Sequence, residues 1–233
     1  NVMSYYMFYD STYLLVIIGV IITLIASARV KSTFKKYSRI GSSSGETGAS
    51  VAAKILEKEG IYDVRIEQVN GELTDHYDPK NKVLRLSESV YGSSSVAALG
   101  VAAHECGHAM QHNRGYAPLK VRTAIVPVVN IGSQISWPVI IVGVLLGFNQ
   151  TLISIGILLF SLGVLFQLVT LPVEFNASNN ALVMLSRTGM LRGNEFEGAK
   201  KVLRAAALTY VAAAAAMILQ LLRLLLLFGR RRD

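Results

Sequence analysis

Long runs of apolar residues set the pattern of this chain, and polar segments that carry most of its charge separate them. A helix needs about 20 mostly apolar residues to cross the hydrocarbon core of a bilayer. Four runs reach that length, and we expect each to form a transmembrane helix: Tyr6 to Ala28, Ala124 to Phe148, Leu152 to Val173 and Ala205 to Phe228. The pattern therefore predicts a mainly α-helical membrane protein.

The order of apolar and basic segments predicts how the chain is oriented. Only Asn149 and Gln150 join the second and third runs, which forces a helical hairpin whose outer ends lie on one side. Lys and Arg residues flank those ends, so the positive-inside rule places them in the cytoplasm. Residues 1–28 contain no Lys or Arg. Although Ala26-Ser27-Ala28 resembles a signal-peptidase site, we expect an uncleaved anchor with its N-terminus outside.

The last apolar run supports two interpretations. A single crossing would place Arg230, Arg231 and Arg232 outside and carry Arg223 into the membrane region, where an Arg near an interface is least costly. Alternatively, Ala205 to Ala216 is an Ala-rich core helix, and only the Leu-rich remainder contacts lipid. Sequence alone leaves both open.

The polar segment after the first run has the pattern of a small soluble domain. A Gly/Ser linker precedes a predicted helix from Gly48 to Glu59. Two extended stretches follow, one ending at the turn signal Asn70-Gly71 and one at Val83 to Leu86, and they predict a small β-sheet. A serine among Ser93 to Ser95 is expected to cap the next helix.

Composition narrows the class of partner. The chain is 52% hydrophobic and 16% charged, with a net charge of +8 and a mean hydropathy of +0.44. Its basic residues lie beside apolar runs and form no aromatic-studded basic face, so they favour anionic lipid headgroups and argue against nucleic acid. Cys106 is the only cysteine, which excludes an intramolecular disulfide and a multi-cysteine metal site.

The predicted capped helix contains the motif His104-Glu105-Cys106-Gly107-His108. Residues four apart share a helical face, so both imidazoles can bind one tetrahedral zinc ion. Glu105 can then take a proton from a zinc-bound water, whose pKa the ion lowers to about 7. The small residues around the motif suit a helix that packs closely against a partner. These parts are typical of peptide hydrolysis.

A catalytic zinc needs a third protein ligand and one open position. His112 lies about 12 Å along the helix from His104, which is too far for one ion. Gln111 and Arg114 stand where a metzincin would have Gly and His. Glu174, just after the third run and on the same predicted membrane side, is the best-placed carboxylate. An ordinary interfacial acid is the alternative.

The helix with its H-E-x-x-H motif, the hairpin, and a Glu that opens the next helix resemble a gluzincin, and most closely the bacterial neutral zinc metallopeptidases of the YugP type. In that family an acidic residue often occupies the place of Asn176. The resemblance implies zinc ligation by His104, His108 and Glu174, with Glu105 as the catalytic residue. Matching stretches are Val30-Lys31-Ser32, Lys35-Lys36-Tyr37-Ser38, Asp75-His76-Tyr77-Asp78-Pro79, Val101 to His112, Phe166 to Glu174, and Ala205 to Ala216.

We therefore predict a zincin-like (gluzincin) catalytic unit that a transmembrane hairpin splits. Its segments are an anchor (1–28), a cytoplasmic catalytic segment with the motif helix (29–123), the hairpin (124–173), a catalytic segment with the third ligand (174–204), and an Ala/Leu-rich helix with a basic tail (205–233). The bacterial plasma membrane would hold it, with the active site facing the cytoplasm. Its substrates would be peptides or membrane-protein segments near the lipid surface.

A non-catalytic adaptor and a transporter are the two alternatives to the peptidase. A non-catalytic membrane adaptor would keep zinc for stability, without an open water position. A transporter would show repeated spans and ionisable groups at the midplane, and neither is evident. His76 and Tyr210 are candidates for stabilising the oxyanion, although local hydrogen bonds would explain either residue as well.

Overall fold

The computed structural model describes residues 10–229. Its helices and strands follow in the order α1 (Tyr13–Tyr37), α2 (Gly48–Lys58), β1 (Arg65–Val69), β2 (His76–Asp78), β3 (Val83–Ser87), α3 (Glu88–Tyr91), α4 (Val96–Asn113), α5 (Ala117–Leu145), α6 (Gln150–Thr188) and α7 (Gly193–Phe228). The described chain is therefore mainly helical, with one small sheet, as the pattern predicts.

Four of these helices are long and apolar enough to cross a membrane, namely α1, α5, α6 and α7. Their number and order match those of the four predicted runs. The bounds differ, because α1 begins at Tyr13 and continues past Ala28 through the basic residues to Tyr37, and α5 ends at Leu145 rather than Phe148. The predicted start of the first run, Tyr6, lies outside the described residues. Most residues of the apolar windows are not buried within the protein, which suits a lipid environment.

The prediction that Glu174 opens a new helix is wrong. Helix α6 runs without interruption from Gln150 to Thr188, and Pro172 lies within it. The reason is visible in the residues that follow. Ala177, Ala181 and Leu185 recur every four positions and are fully buried, so this part of α6 has its own apolar face that packs in a core. Glu174 consequently lies in the interior of a long helix.

The described chain divides into two compact units. The first comprises the described residues up to Ala26, Val121–Thr170, and those from Thr209 onward. The second comprises Ser27–Lys120 and Leu171–Leu208. The first unit thus contains most of the apolar helices, and the second contains the polar segments and the motif helix.

Within the first unit, the C-terminal end of α7 lies beside the N-terminal ends of α1 and α6. The Gln150 side chain donates to the carbonyl of Phe228 at 3.2 Å. The Arg223 guanidinium lies 3.7 Å from the Asp10 carboxylate and 4.2 Å from the ring centroid of Tyr13. Because α7 is one continuous helix, the Ala-rich and Leu-rich parts of the last run are not separate elements.

The sheet of the second unit has the strand order β1-β3-β2. Strand β1 pairs with β3 in parallel, and β2 pairs with β3 in antiparallel orientation. The sequence pattern indicates β1 and β3 but not β2, whose short sequence has no apolar alternation. Central strand β3 is the most buried, with Val83, Leu84 and Leu86 fully enclosed.

Helix α4 passes through the core of the second unit. Its residues Val96 to Leu99 are fully buried, together with side chains of α2 such as Val51 and Ile55. Residues of α7 such as Val202 and Leu203 complete this cluster. A helix enclosed by other elements is a rigid base for the polar side chains that it carries.

Candidate metal centre

Helix α4 begins where the serines predict. Ser95 is its N-cap, and the side-chain hydroxyl accepts a hydrogen bond from the Ala98 N–H at 3.2 Å. This bond satisfies one of the N–H groups that the first turn leaves without a helical partner. The cap fixes the start of the helix two turns before the motif.

The motif helix meets α6 at a very close contact. A Cβ atom built on Gly107 would lie 2.4 Å from the Ala177 carbonyl oxygen, so only a glycine fits there. Ala102, Ala103 and Ala109 are also buried on this helix. The small residues around the motif therefore do what the sequence predicts, and they bring the backbone of α4 close to the turn of α6 that follows Glu174.

His104, His108 and Glu174 come together at this contact. One donor atom from each lies within 4.8 Å of the others. The Glu174 Oε2 atom is 3.3 Å from His104 Nε2 and 3.6 Å from His108 Nε2. The two imidazole rings are 4.8 Å apart and nearly perpendicular, at 85°. Two residues of one helical turn and a carboxylate 66 positions after the second of them thus face a common point.

The donor set fits a zinc ion. Ligands bound about 2.1 Å from a tetrahedral ion stand about 3.4 Å apart, which is close to the two observed Nε2 to Oε2 distances. Two imidazole nitrogens and one carboxylate oxygen are also the ligand types of a catalytic zinc site with one open position. The side chains of both histidines are 13% exposed and that of Glu174 is 3% exposed, so the site is largely shielded from solvent.

Glu105 lies next to His104 on α4 and is mostly buried, at 7% exposure. It is not one of the three grouped donors. Burial alone would lower the pKa of His108, but the hydrogen bond to Glu174 and the negative charges of Glu105 and Glu174 outweigh it and raise that pKa. The arrangement supplies one carboxylate for an ion and another beside it.

The Nδ1 atoms of both imidazoles have hydrogen-bond partners that the sequence analysis did not assign. His104 Nδ1 lies 3.1 Å from the Ser178 hydroxyl, and His108 Nδ1 lies 3.1 Å from Gln111 Oε1. A positional signal existed for each partner, because Ser178 follows Glu174 by one helical turn and Gln111 follows His108 by three residues. Such spacings are too common in helices to identify these partners without coordinates.

Gln111 also contacts the helix that carries Glu174. Its Nε2 group donates to the Val173 carbonyl at 2.7 Å and to Asn176 Oδ1 at 2.9 Å. The Asn176 oxygen accepts a second bond, from Asn180 Nδ2 at 3.1 Å. Asn176 thus acts here as a hydrogen-bond acceptor.

His112 lies apart from the three donors, in agreement with the helix-rise argument. Its Nδ1 atom is 2.8 Å from the hydroxyl of Tyr77, which comes from strand β2. Burial, followed by the charges of Asp63 and Asp78, raises the pKa of Tyr77 to about 12, so the hydroxyl keeps its proton. This pair joins the end of α4 to the sheet.

His76, the first of the two oxyanion candidates, has local contacts in the structure. His76 Nδ1 lies 2.8 Å from the Thr74 carbonyl oxygen, and Arg85 Nη1 lies 3.4 Å from His76 Nε2. These contacts favour the alternative that His76 has a local structural role near the turn before Pro79. The second candidate, Tyr210, lies on α7.

Comparison with known proteins agrees with this geometry. Residues 12–229 match the family described as "Putative neutral zinc metallopeptidase". The chain is 51% identical over 208 residues to "Putative membrane protease YugP" of Bacillus subtilis (strain 168), across 89% of this chain and 92% of that relative. No solved structure matches the chain. By the extent of both matches, the chain belongs to the neutral zinc metallopeptidase family.

Proposed function

We propose that this protein is a membrane-embedded zinc metallopeptidase of the gluzincin type, with a catalytic unit that a transmembrane hairpin interrupts in sequence. The convergence of His104, His108 and Glu174 on one point is the observation that carries the proposal. Membership of a family described as zinc metallopeptidases supports the same reaction class. His104 and His108 would hold zinc through Nε2, and Glu174 would hold it through a carboxylate oxygen.

Zinc bound there would lower the pKa of a water molecule and polarise the carbonyl of the peptide bond to be cleaved. Glu105 supplies the proton transfers. Its carboxylate accepts a proton from the attacking water and then donates it to the nitrogen of the leaving amine. Because Glu105 precedes the first imidazole ligand on a buried helix, it stays close to the reacting groups without occupying the position of a ligand.

The substrates in this proposal are peptides, or segments of membrane proteins, at the cytoplasmic surface of the bacterial plasma membrane. The four long apolar helices support a membrane location. The basic residues that flank the hairpin support the cytoplasmic side. The relative from Bacillus subtilis is itself named as a membrane protease.

The decisive experiment compares Glu105→Gln and His108→Ala in protein reconstituted into anionic lipid vesicles. Cleavage of casein and of a quenched-fluorescent peptide library is measured, and bound zinc is measured by elemental analysis. Glu105→Gln should keep zinc and lose about 10²- to 10⁴-fold in cleavage rate, because general base catalysis contributes that much. His108→Ala should lose both zinc and cleavage.

Glu72→Gln is the matched control, since it makes the same chemical change at an exposed position of the second unit. It should leave both measurements unchanged. Wild-type cleavage rates in Glu105→Gln would refute the catalytic proposal. A wild-type protein that binds zinc and cleaves no probe would favour the non-catalytic adaptor.

A further inference from the structure

Gln111 is a buried polar residue for which the peptide-hydrolysis mechanism has no direct use. It is 1% exposed and lies on α4, three residues after His108. A buried amide is costly unless its donors and acceptor find partners. The side-chain oxygen and nitrogen of Gln111 both have partners, and these partners belong to two helices, α4 and α6.

The partners fix which way the Gln111 amide points. The Val173 carbonyl oxygen can only accept a hydrogen bond, so the group facing it at 2.7 Å must be the NH₂ of Gln111. The second contact of this NH₂ is Asn176 Oδ1. Because the NH₂ donates, the Asn176 atom that faces it must be the oxygen, which also accepts a bond from Asn180 Nδ2. The oxygen of Gln111 is therefore left to face His108.

The amide orientation in turn fixes the state of His108. An amide oxygen is an acceptor, so His108 Nδ1 must carry the proton that it donates across 3.1 Å. The lone pair of the neutral ring then belongs to Nε2. This is the atom that lies 3.6 Å from Glu174 Oε2 and belongs to the three-donor group.

The same amide also holds the third ligand in place. Val173 and Asn176 lie on either side of Glu174 in α6, and Gln111 binds a group from each. A single side chain thus restrains both His108, through its oxygen, and the turn that carries Glu174, through its nitrogen.

We propose that Gln111 is a positioning residue that sets the Nδ1–H tautomer of His108 and clamps the Glu174 turn against α4, so that both ligands meet zinc together. The inference rests on the proposed zinc site, although not on peptide cleavage. In zinc proteins, loss of a hydrogen-bond partner of this kind lowers the metal affinity 10- to 100-fold.

The test measures zinc affinity by competition with a chromophoric chelator, and ligand geometry from the visible spectrum of the cobalt-substituted protein. Gln111→Met keeps the volume and removes every hydrogen bond, and it should weaken zinc binding 10- to 100-fold and alter the cobalt spectrum. Gln111→Glu keeps an acceptor for His108 Nδ1 and should bind zinc more tightly than Gln111→Met. Gln68→Met, the same exchange on an exposed position of β1, should match the wild type.

A second measurement does not depend on the folding of any variant. The chain has only four histidines, so ¹⁵N-histidine NMR of the zinc-loaded wild type can assign each ring. His108 should show a protonated Nδ1 and a zinc-bound Nε2. Zinc on Nδ1 of His108 would overturn the inference, as would wild-type zinc affinity in Gln111→Met.

The outcomes separate this inference from the proposed function. Zinc binding that depends on Gln111, in a protein that cleaves no peptide, would refute the peptidase and support the positioning role. Peptide cleavage by the wild type, combined with a zinc affinity that does not change in Gln111→Met, would refute the positioning role alone. A wild-type protein that binds no zinc would refute both.

Discussion

At the scale of single residues, the same side chain type has different roles according to its position along the helix that carries it. His104, His108 and His112 follow one another at four-residue intervals on α4. The first two share the point that Glu174 reaches, while the third is bonded to Tyr77 of the sheet. Helix rise excludes His112 from the site on sequence grounds alone. Its actual partner could not be named without the fold.

Asp78 is a carboxylate with a structural role in the turn after β2. It accepts backbone N–H bonds from Lys80 and Asn81 and a side-chain bond from Asn81, and it lies 3.0 Å from Arg85. These bonds, with those from Asn81 and Arg85 as the strongest causes, hold the pKa of Asp78 well below its ordinary value of 3.8. The carboxylate therefore fastens the turn between β2 and β3 only in its charged form.

A stability change with pH follows from this shift. Folding lowers the pKa of Asp78, so its charged form contributes fully to stability at pH values above the unfolded value of 3.8. This contribution is lost as the pH falls from there through the lower pKa of the folded state. At neutral pH, the unfolding temperature of the wild type should exceed that of Asp78→Asn. The difference between the two unfolding temperatures should close under acid conditions below pH 3.8. A gap that stays constant with pH would contradict the role given to this carboxylate.

At the scale of elements, the site depends on how closely α4 approaches α6. Gly107 permits that approach, because any side chain would collide with the Ala177 carbonyl. The imidazoles of His104 and His108 flank Gly107 along α4, and Glu174 and Ser178 flank Ala177 along α6. This close backbone contact therefore lies among the residues of the proposed ligand group.

Gly107→Ala should push the two helices apart and damage the site. Overpacking of this kind costs about 1 to 3 kcal/mol of stability. Lower thermal stability and lower zinc content are expected together. Gly92→Ala is the control, since a Cβ there meets no atom within 4 Å and the backbone has an ordinary φ of −95°. If Gly107→Ala kept wild-type zinc content, the close contact would not be needed for ligation.

Sequence reasoning succeeded where the signal was local. Ser95 and the apolar positions that follow it predict the start of α4, and the lengths of the apolar runs predict four long helices. It failed where a distant partner decides the outcome. The parallel pairing of β1 with β3 joins residues 18 positions apart, such as Arg65 and Val83, and α6 continues past Pro172 because its buried residues pack in the core of the second unit. The Gln111 contacts with α6 depend on tertiary packing in the same way.

At the scale of the whole molecule, the ends of the long helices make topology testable. In the first unit, the C-terminal end of α7 lies beside the start of α6 and the start of α1. With the basic flanks in the cytoplasm, the turn between α5 and α6 would lie outside, and the linker after α1 would lie inside.

Labelling of one introduced cysteine at a time should show this orientation. A membrane-impermeant maleimide should label Leu146→Cys in intact cells and Ser44→Cys only after permeabilisation. The wild type serves as the blank, because Cys106 is fully buried and burial raises the pKa of its thiol. Labelling of Ser44→Cys in intact cells would reverse the proposed orientation.

The position of Glu174 in the middle of α6 has a consequence for selectivity. Helical hydrogen bonds on both sides of this residue hold its backbone, so the proposed third ligand does not depend on the ordering of a loop. A peptidase built this way has a preassembled centre that an incoming chain does not need to complete. Discrimination between proteins to be cut and proteins to be spared must then arise from physical access to the centre.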